Sequence, residues 1–216
     1  MPLENRVDPF GALVADPARG LFTGNRGILH DPETRTLLKR RWATKAWIVC
    51  ALDHPRAVRR DVFGRNGPGG RTGWTELFFL DEVTALAAGH RPCFYCRRAA
   101  AKRFAEAFSD AAGSAAAKAT EIDARLHGER LAAGAAPRPL TPAELRALPD
   151  GAMVASGARA FALRHGALLA WSFDGYAAGA LPLAALSSGA LLVTPPATVA
   201  ALRAGYRPVW HPSAGA

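Results

Sequence analysis

An α+β fold is what this sequence predicts, from three observations. Two short apolar runs rich in aromatic and β-branched residues, Ala46 to Leu52 and Thr75 to Leu80, read as strands in the first half. An alanine-dominated stretch from Ala111 to Pro139 reads as a helix followed by a linker. Beyond Gly151 the pattern changes to short apolar segments split by glycine or polar pairs, the signature of a small antiparallel sheet or partial barrel. The expected organisation is an N-terminal lobe of strands and short helices over 1–110, an Ala-rich helical connector over 111–150 and a β-rich C-terminal lobe over 151–216.

Taken in order, residues 1–35 are rich in Gly, Pro and Asp without a sustained period and read as loops around short elements. Thr23 to Gly27 reads there as a turn with backbone N–H groups available to an anion. The strand over 46–52 carries Cys50, Gly64 to Gly73 is a glycine-rich turn, and the strand over 75–80 follows. Asp81 is placed to cap a short helix from Glu82 to Ala88, and Gly89 is its expected left-handed stop. A further helix runs from Arg97 to Phe108, with Ala99, Phe104, Ala107 and Phe108 on or near one face. Thr141-Pro-Ala-Glu144 is a capping box with proline at the first helical position, so a brief helix reaches about Leu148, and Pro149-Asp-Gly151 is a turn. Strands follow near Ala152–Ala155, Ala160–Leu163, Ala167–Phe173 and Gly189–Val193.

Residues 83–92 (VTALAAGHRP) and 199–208 (VAALRAGYRP) match at seven of ten positions. Each reads as a helix, a glycine stop and an Arg-Pro exit. Duplication and local convergence both account for the echo.

The chain has 216 residues, 50% hydrophobic and 21% charged, which excludes a disordered chain. At this length folding buries roughly 70% of the unfolded surface, so no disulfide staple is needed. The N-terminal residues lack the basic and apolar regions of a signal peptide, and Pro182, Pro195 and Pro196 interrupt the long uncharged stretch from Gly175 to Leu202. A cytoplasmic protein without a membrane span is expected.

The formal charge is +9, from 27 Lys and Arg against 18 Asp and Glu. Between Arg26 and Arg103 there are 16 cations and 7 anions, so the whole excess lies in the segment holding all three cysteines. Its densest clusters are Lys39-Arg40-Arg41, Arg56 to Arg60, and Arg97-Arg98 directly after a cysteine. Arginine suits bidentate phosphate contacts, and the expected partner is the phosphate backbone of a nucleic acid, the alternative being an ordinary solvated face. Trp42, Trp47, Trp74, Phe94 and Tyr95 are interleaved with these cations, either as packing or as base-stacking rings.

Cys93-x-x-Cys96 supplies two thiolates from one tight turn, and Cys50-x3-His54 supplies a second pair just beyond a strand. Thiolate and imidazole donors suit Zn²⁺, whose structural sites take four such ligands. Cys50, His54, Cys93 and Cys96 are the candidate set, with His30, His90 and His211 as alternative fourth ligands. No thioredoxin-type pattern surrounds the C-x-x-C, which argues against a redox role.

Trp47-Ile-Val-Cys50-x3-His54, the strand over 75–80 and the string Ala85-Leu-Ala-Ala-Gly-His-Arg-Pro-Cys-x-x-Cys96 resemble the zinc-binding domain of Ada-type DNA alkylation-repair proteins. The resemblance spans about residues 46–98. It implies zinc held by Cys50, Cys93 and Cys96, with Cys50 in the position that accepts a methyl group from a DNA phosphotriester, and with His54 where the family carries a cysteine. A Cys3His set bears one negative charge fewer than four thiolates, which makes each sulfur a poorer nucleophile. The glycine-rich insertion between the ligand pairs is longer than the family's, and no helix-turn-helix or alkyltransferase signature follows Arg98.

The primary functional expectation is therefore a zinc-stabilised, nucleic-acid-binding protein. One alternative is a zinc enzyme, either a methyl acceptor at Cys50 or a metal-assisted hydrolase with Glu76, Asp81 or Glu82 as base. Another is an interaction module in which Asp174-Gly-Tyr176 and Trp210-His-Pro212 line a pocket of the C-terminal lobe.

Overall fold

A computed structural model describes residues 3–53, 62, 73–186 and 189–215. The architecture is α+β, with a helical segment between two strand-rich regions. The first region contains β1 (Glu4–Val7), β2 (Leu13–Ala15), β3 (Phe22–Asn25), β4 (Ile48–Ala51), β5 (Leu77–Phe79), α1 (Glu82–Ala87) and β6 (Arg91–Pro92). Then come α2 (Arg98–Ala112), α3 (Ala119–Glu129), β7 (Arg138–Leu140) and α4 (Pro142–Arg146). The remainder holds β8 (Met153–Ser156), β9 (Arg159–Arg164), β10 (Ala167–Ser172), β11 (Gly175–Tyr176), β12 (Leu181–Pro182), β13 (Ala190–Leu192) and α5 (Pro196–Arg203).

The first sheet has the order β2-β1-β5-β3-β4-β6. The short elements expected among the loops of residues 1–35 are thus three strands. Thr23 to Asn25 lies inside β3, hydrogen-bonded to β4 on one side and β5 on the other, so the turn expected there is not formed. Gly24 is what permits this: a Cβ on it would stand 2.1 Å from the Ile48 carbonyl oxygen. At the far edge β4 pairs in parallel with the two-residue β6, in the register Ile48 to Arg91 and Val49 to Pro92. That register carries Cys50 and Cys93, one residue further along each strand, to the same end of the sheet.

The second sheet runs β11-β10-β9-β8-β13-β7, with β12 also on β10, and its strands alternate strictly between two cores. Val154, Phe161, Leu163 and Leu168 face Phe104, Ile122, Leu126 and Leu202 of α2, α3 and α5. Met153, Ala155, Ala162 and Leu169 face Leu80, Val83 and Ala87 at and within α1. The sheet is therefore covered on both faces, and α1 of the first region supplies one of the covers.

α1 begins at Asp81, whose Oδ1 accepts hydrogen bonds from the Thr84 N–H and hydroxyl, both at 2.8 Å. It ends at Gly89 (φ +83°), where the N–H of Gly89 donates to Leu86 O and that of His90 to Ala85 O. α5 ends in the same way: Gly205 (φ +108°) donates to Leu202 O and Tyr206 to Ala201 O. Both ends are Schellman stops, so the sequence echo is a structural one. α2 extends past the expected end at Phe108 to Ala112, and the alanine-rich stretch beyond it forms α3 as well as a linker.

Candidate metal centre and basic surface

The Sγ atoms of Cys50, Cys93 and Cys96 all lie within 4.8 Å of one another. Three elements converge to place them. Cys50 stands near the end of β4 with the side chain buried, at 6% exposure. Cys93 leaves β6 with its N–H donating to Val49 O at 3.0 Å, which locks the knuckle to β4. Cys96 precedes the first turn of α2, and Cys93 O accepts from the Arg97 N–H at 3.0 Å.

The donor set fits a soft divalent ion. Four ligands at Zn–S distances near 2.3 Å set sulfurs roughly 3.8 Å apart in a tetrahedron, within the bound observed. The Tyr95 N–H points at Cys93 Sγ from 3.4 Å, and the Ala51 N–H donates to Cys96, so the knuckle presents donors suited to thiolates. The positive N-terminal end of α2 adds to this bias. Crowded together, the three sulfurs compete as hydrogen-bond partners. Hydrogen bonds from Cys50 and then Cys96 hold Cys93 well below the usual thiol range. The Cys93 and Cys96 hydrogen bonds, with burial, push Cys50 far above it. A bound dication removes that conflict by accepting all three sulfurs as thiolates.

His54 lies outside the described residues. The three alternative histidines are placed elsewhere. His30 is fully buried with Nε2 3.1 Å from Glu4 O. His90 packs on Trp47 and Phe79 and accepts from Arg26. His211 caps the C-terminal turn, its ring accepting from the Ser213 N–H. Among the described residues no His, Asp or Glu joins the three cysteines.

The carboxylates considered as catalytic bases are committed to other partners. Asp81 Oδ2 accepts from the Tyr176 hydroxyl at 2.9 Å and the His211 N–H at 3.1 Å. Glu82 accepts from both Nη atoms of Arg97, from the Tyr206 hydroxyl and from the Val209 N–H. Glu76 accepts from the Thr23 hydroxyl and from Trp74 Nε1. Asp81 and Glu82 thereby tie the C-terminal segment from Tyr206 to His211 onto α1. Spacing in sequence could not reveal these bonds, which cross 95 to 130 residues.

The basic candidates separate into two kinds. Lys39, Arg40 and Arg41 are exposed, beside the half-exposed Trp42, whose ring meets His127 edge-on at 4.6 Å. Arg98 is exposed on the first turn of α2, with Lys102 and Arg103 along the same helix and Tyr95 in the knuckle, 55% exposed. Arg97 differs: its side chain is 9% exposed, paired bidentately with Glu82 and stacked over Phe22 at 4.3 Å. The Arg56 to Arg60 cluster and most of the Gly64 to Gly73 turn lie outside the described residues. Asp174-Gly-Tyr176 and Trp210-His-Pro212 do meet, through the Tyr176 N–H donating to Ser213 Oγ and the rings of Tyr176 and Trp210 at 5.7 Å, as packing of the tail on β11.

No described helix is long and apolar enough to cross a membrane. Comparison with protein-family models, with curated proteins and with solved structures finds no match to this chain.

Proposed function

We propose that the chain is a zinc-binding protein in which zinc is structural and the surface beside it binds the phosphate backbone of a nucleic acid. The observation that carries this reading is the junction of the knuckle with α2. Three clustered sulfurs lead directly into a helix that exposes Arg98, Lys102 and Arg103, with the ring of Tyr95 presented next to them.

The order of charges on α2 supports it. The macrodipole favours anions near a helix start and cations near its end. Here the cations come first, and Glu106 and Asp110 come last; the first turn has no acidic residue and the last turn no basic one. Cations held where the dipole disfavours them are accounted for by a partner of opposite charge. Lys39, Arg40 and Arg41 supply further exposed positive charge. Arg97 has a different role, fixing α2 to Glu82 and hence to α1.

The burial of Cys50 favours a ligand over a methyl acceptor, because an acceptor sulfur must meet its substrate. The test is binding of a fluorescent oligonucleotide, single- and double-stranded, across salt concentrations. Affinity falling linearly on a log–log plot as salt rises supports the reading; affinity independent of salt, or no binding at low salt, rejects it.

A further inference from the structure

A second cluster, made of other side chains than the cysteines, lies where the interior of the first region meets the end of α3. The Trp47 indole is fully buried, and two guanidinium groups stack on it: the central carbon of Arg26 is 4.0 Å from the ring centroid and that of Arg130 is 4.4 Å. Arg26 and Arg130 are themselves 0% and 1% exposed. Neither forms an ion pair with a described residue. Asp123, the acidic group that acts on Arg130 from a distance, is held bidentately by Arg91 at 2.8 Å. Asp8, which acts likewise on Arg26, spends its Oδ1 on the Ala12 N–H.

The hydrogen bonds of this cluster stop short of completion. Arg26 donates from Nε to His90 Nε2 and from Nη1 to Gly11 O. Arg130 donates from Nε to Gly89 O and from Nη1 to Lys45 O. The Nη2 of each arginine and Nδ1 of His90 are buried with no hydrogen-bond partner among the described residues. The protonation of His90 follows from its surroundings. Burial, then the charges of Arg26 and Arg130, keep it well below its ordinary range, so the ring is neutral. An arginine Nε is only a donor, so His90 Nε2 is the acceptor and the single ring proton sits on Nδ1. Every orphaned atom in the cluster is therefore a donor, on two cations and one neutral ring. Buried donors and buried cations both require an acceptor, and one carrying negative charge satisfies both at once.

Guanidinium groups match tetrahedral and planar oxyanions through paired N–H donors. We propose that Arg26, Arg130 and His90, gathered around Trp47, form an interior binding site for one compact oxyanion of the phosphate or sulfate class. The near-complete burial of both arginines restricts the ligand to a small ion and separates this site from the exposed cations of α2. One glycine seats Arg130. A Cβ on Gly89 would lie 2.4 Å from Arg130 Cγ. Desolvation, with the charge of Arg130, draws Arg26 down to about 9; desolvation, opposed by Asp123 and aided by Arg91, draws Arg130 down to about 10, so both are still cations at neutral pH.

The test is calorimetric titration of the full chain with inorganic phosphate, ionic strength being held with sodium gluconate, an anion too bulky for the interior. One phosphate per chain, saturating, with Tm rising by about 5–10 °C at a hundredfold excess over Kd, is expected. Arg130→Lys keeps the charge and the stem packed under Gly89 but loses the planar fork, and should bind at least tenfold more weakly. The exposed double variant Arg98→Ala with Lys102→Ala should bind phosphate as the parent does. Absence of saturable binding in the parent chain, unchanged affinity in Arg130→Lys, or loss of binding in the exposed double variant would each overturn the proposal.

Discussion

The hydroxyl of Tyr206 donates a 2.6 Å hydrogen bond to Oε1 of Glu82, joining the exit of α5 to the start of α1 across 124 residues. Glu82 is 1% exposed and also neutralises Arg97, so a single carboxylate holds α1, α2 and the C-terminal tail together. Removing it leaves a buried guanidinium unpaired. Glu82→Ala should cost about 3–5 kcal/mol, whereas Tyr206→Phe, which removes one hydrogen bond, should cost about 1–2 kcal/mol. Urea unfolding of both variants and their double mutant checks the values, and the cycle should be non-additive because both changes act on the same carboxylate.

How far such features can be read from the chain depends on whether their cause is local. The capping box at Thr141, the Asp81 cap and the Gly89 stop are set by residues within one helical turn, and each stands where the sequence places it. The Cys93-x-x-Cys96 knuckle is local as well, and Cys50 joins it. β6 is two residues long and includes a proline, so only its pairing with β4 makes it a strand. β1 buries Asn5, whose amide donates to Glu76 O 71 residues away, which hides the alternation expected of a strand. Arg97 reads as one more cation beside Arg98 because nothing near it announces Glu82, and the meeting of Arg26 with Arg130 on Trp47 has no local signal at all.

Arg97 and Arg98 should part company in experiment. Replacing Arg98 by Ala should leave stability nearly unchanged and reduce the steepness of the log–log salt dependence of oligonucleotide binding by about 0.7–0.9. Arg97→Ala should instead lower the unfolding midpoint, since it strands Glu82 in the interior. Binding isotherms at four or more salt concentrations, with thermal denaturation of the same samples, separate the two effects.

Stability should respond to acid through Glu144. Its carboxylate accepts from the Thr141 N–H and from Arg138, which pulls it from 4.5 to about 2. A folded value below the unfolded one means that the contribution is complete above about pH 4.5 and is lost as pH falls toward 2. Glu144→Gln should accordingly be less stable than the parent chain at pH 6, with the gap narrowing as the pH approaches 2. Chemical denaturation at a series of pH values follows that difference.

Cysteine replacements should act on metal and fold together. Cys93→Ser, at the sulfur that receives the Tyr95 N–H, should lose metal and lower Tm, because the knuckle is the joint between β4 and α2. His54→Ala reports on the fourth position: parallel loss of metal and stability identifies it as a ligand, and retention of both excludes it.

The most direct test of the metal centre is the mass of the intact purified chain under non-denaturing conditions, combined with elemental analysis. One zinc per chain, removed by chelation together with loss of native structure, is the predicted result. A metal-free mass, with Cys50, Cys93 and Cys96 all reacting as free thiols in the folded protein, would contradict it.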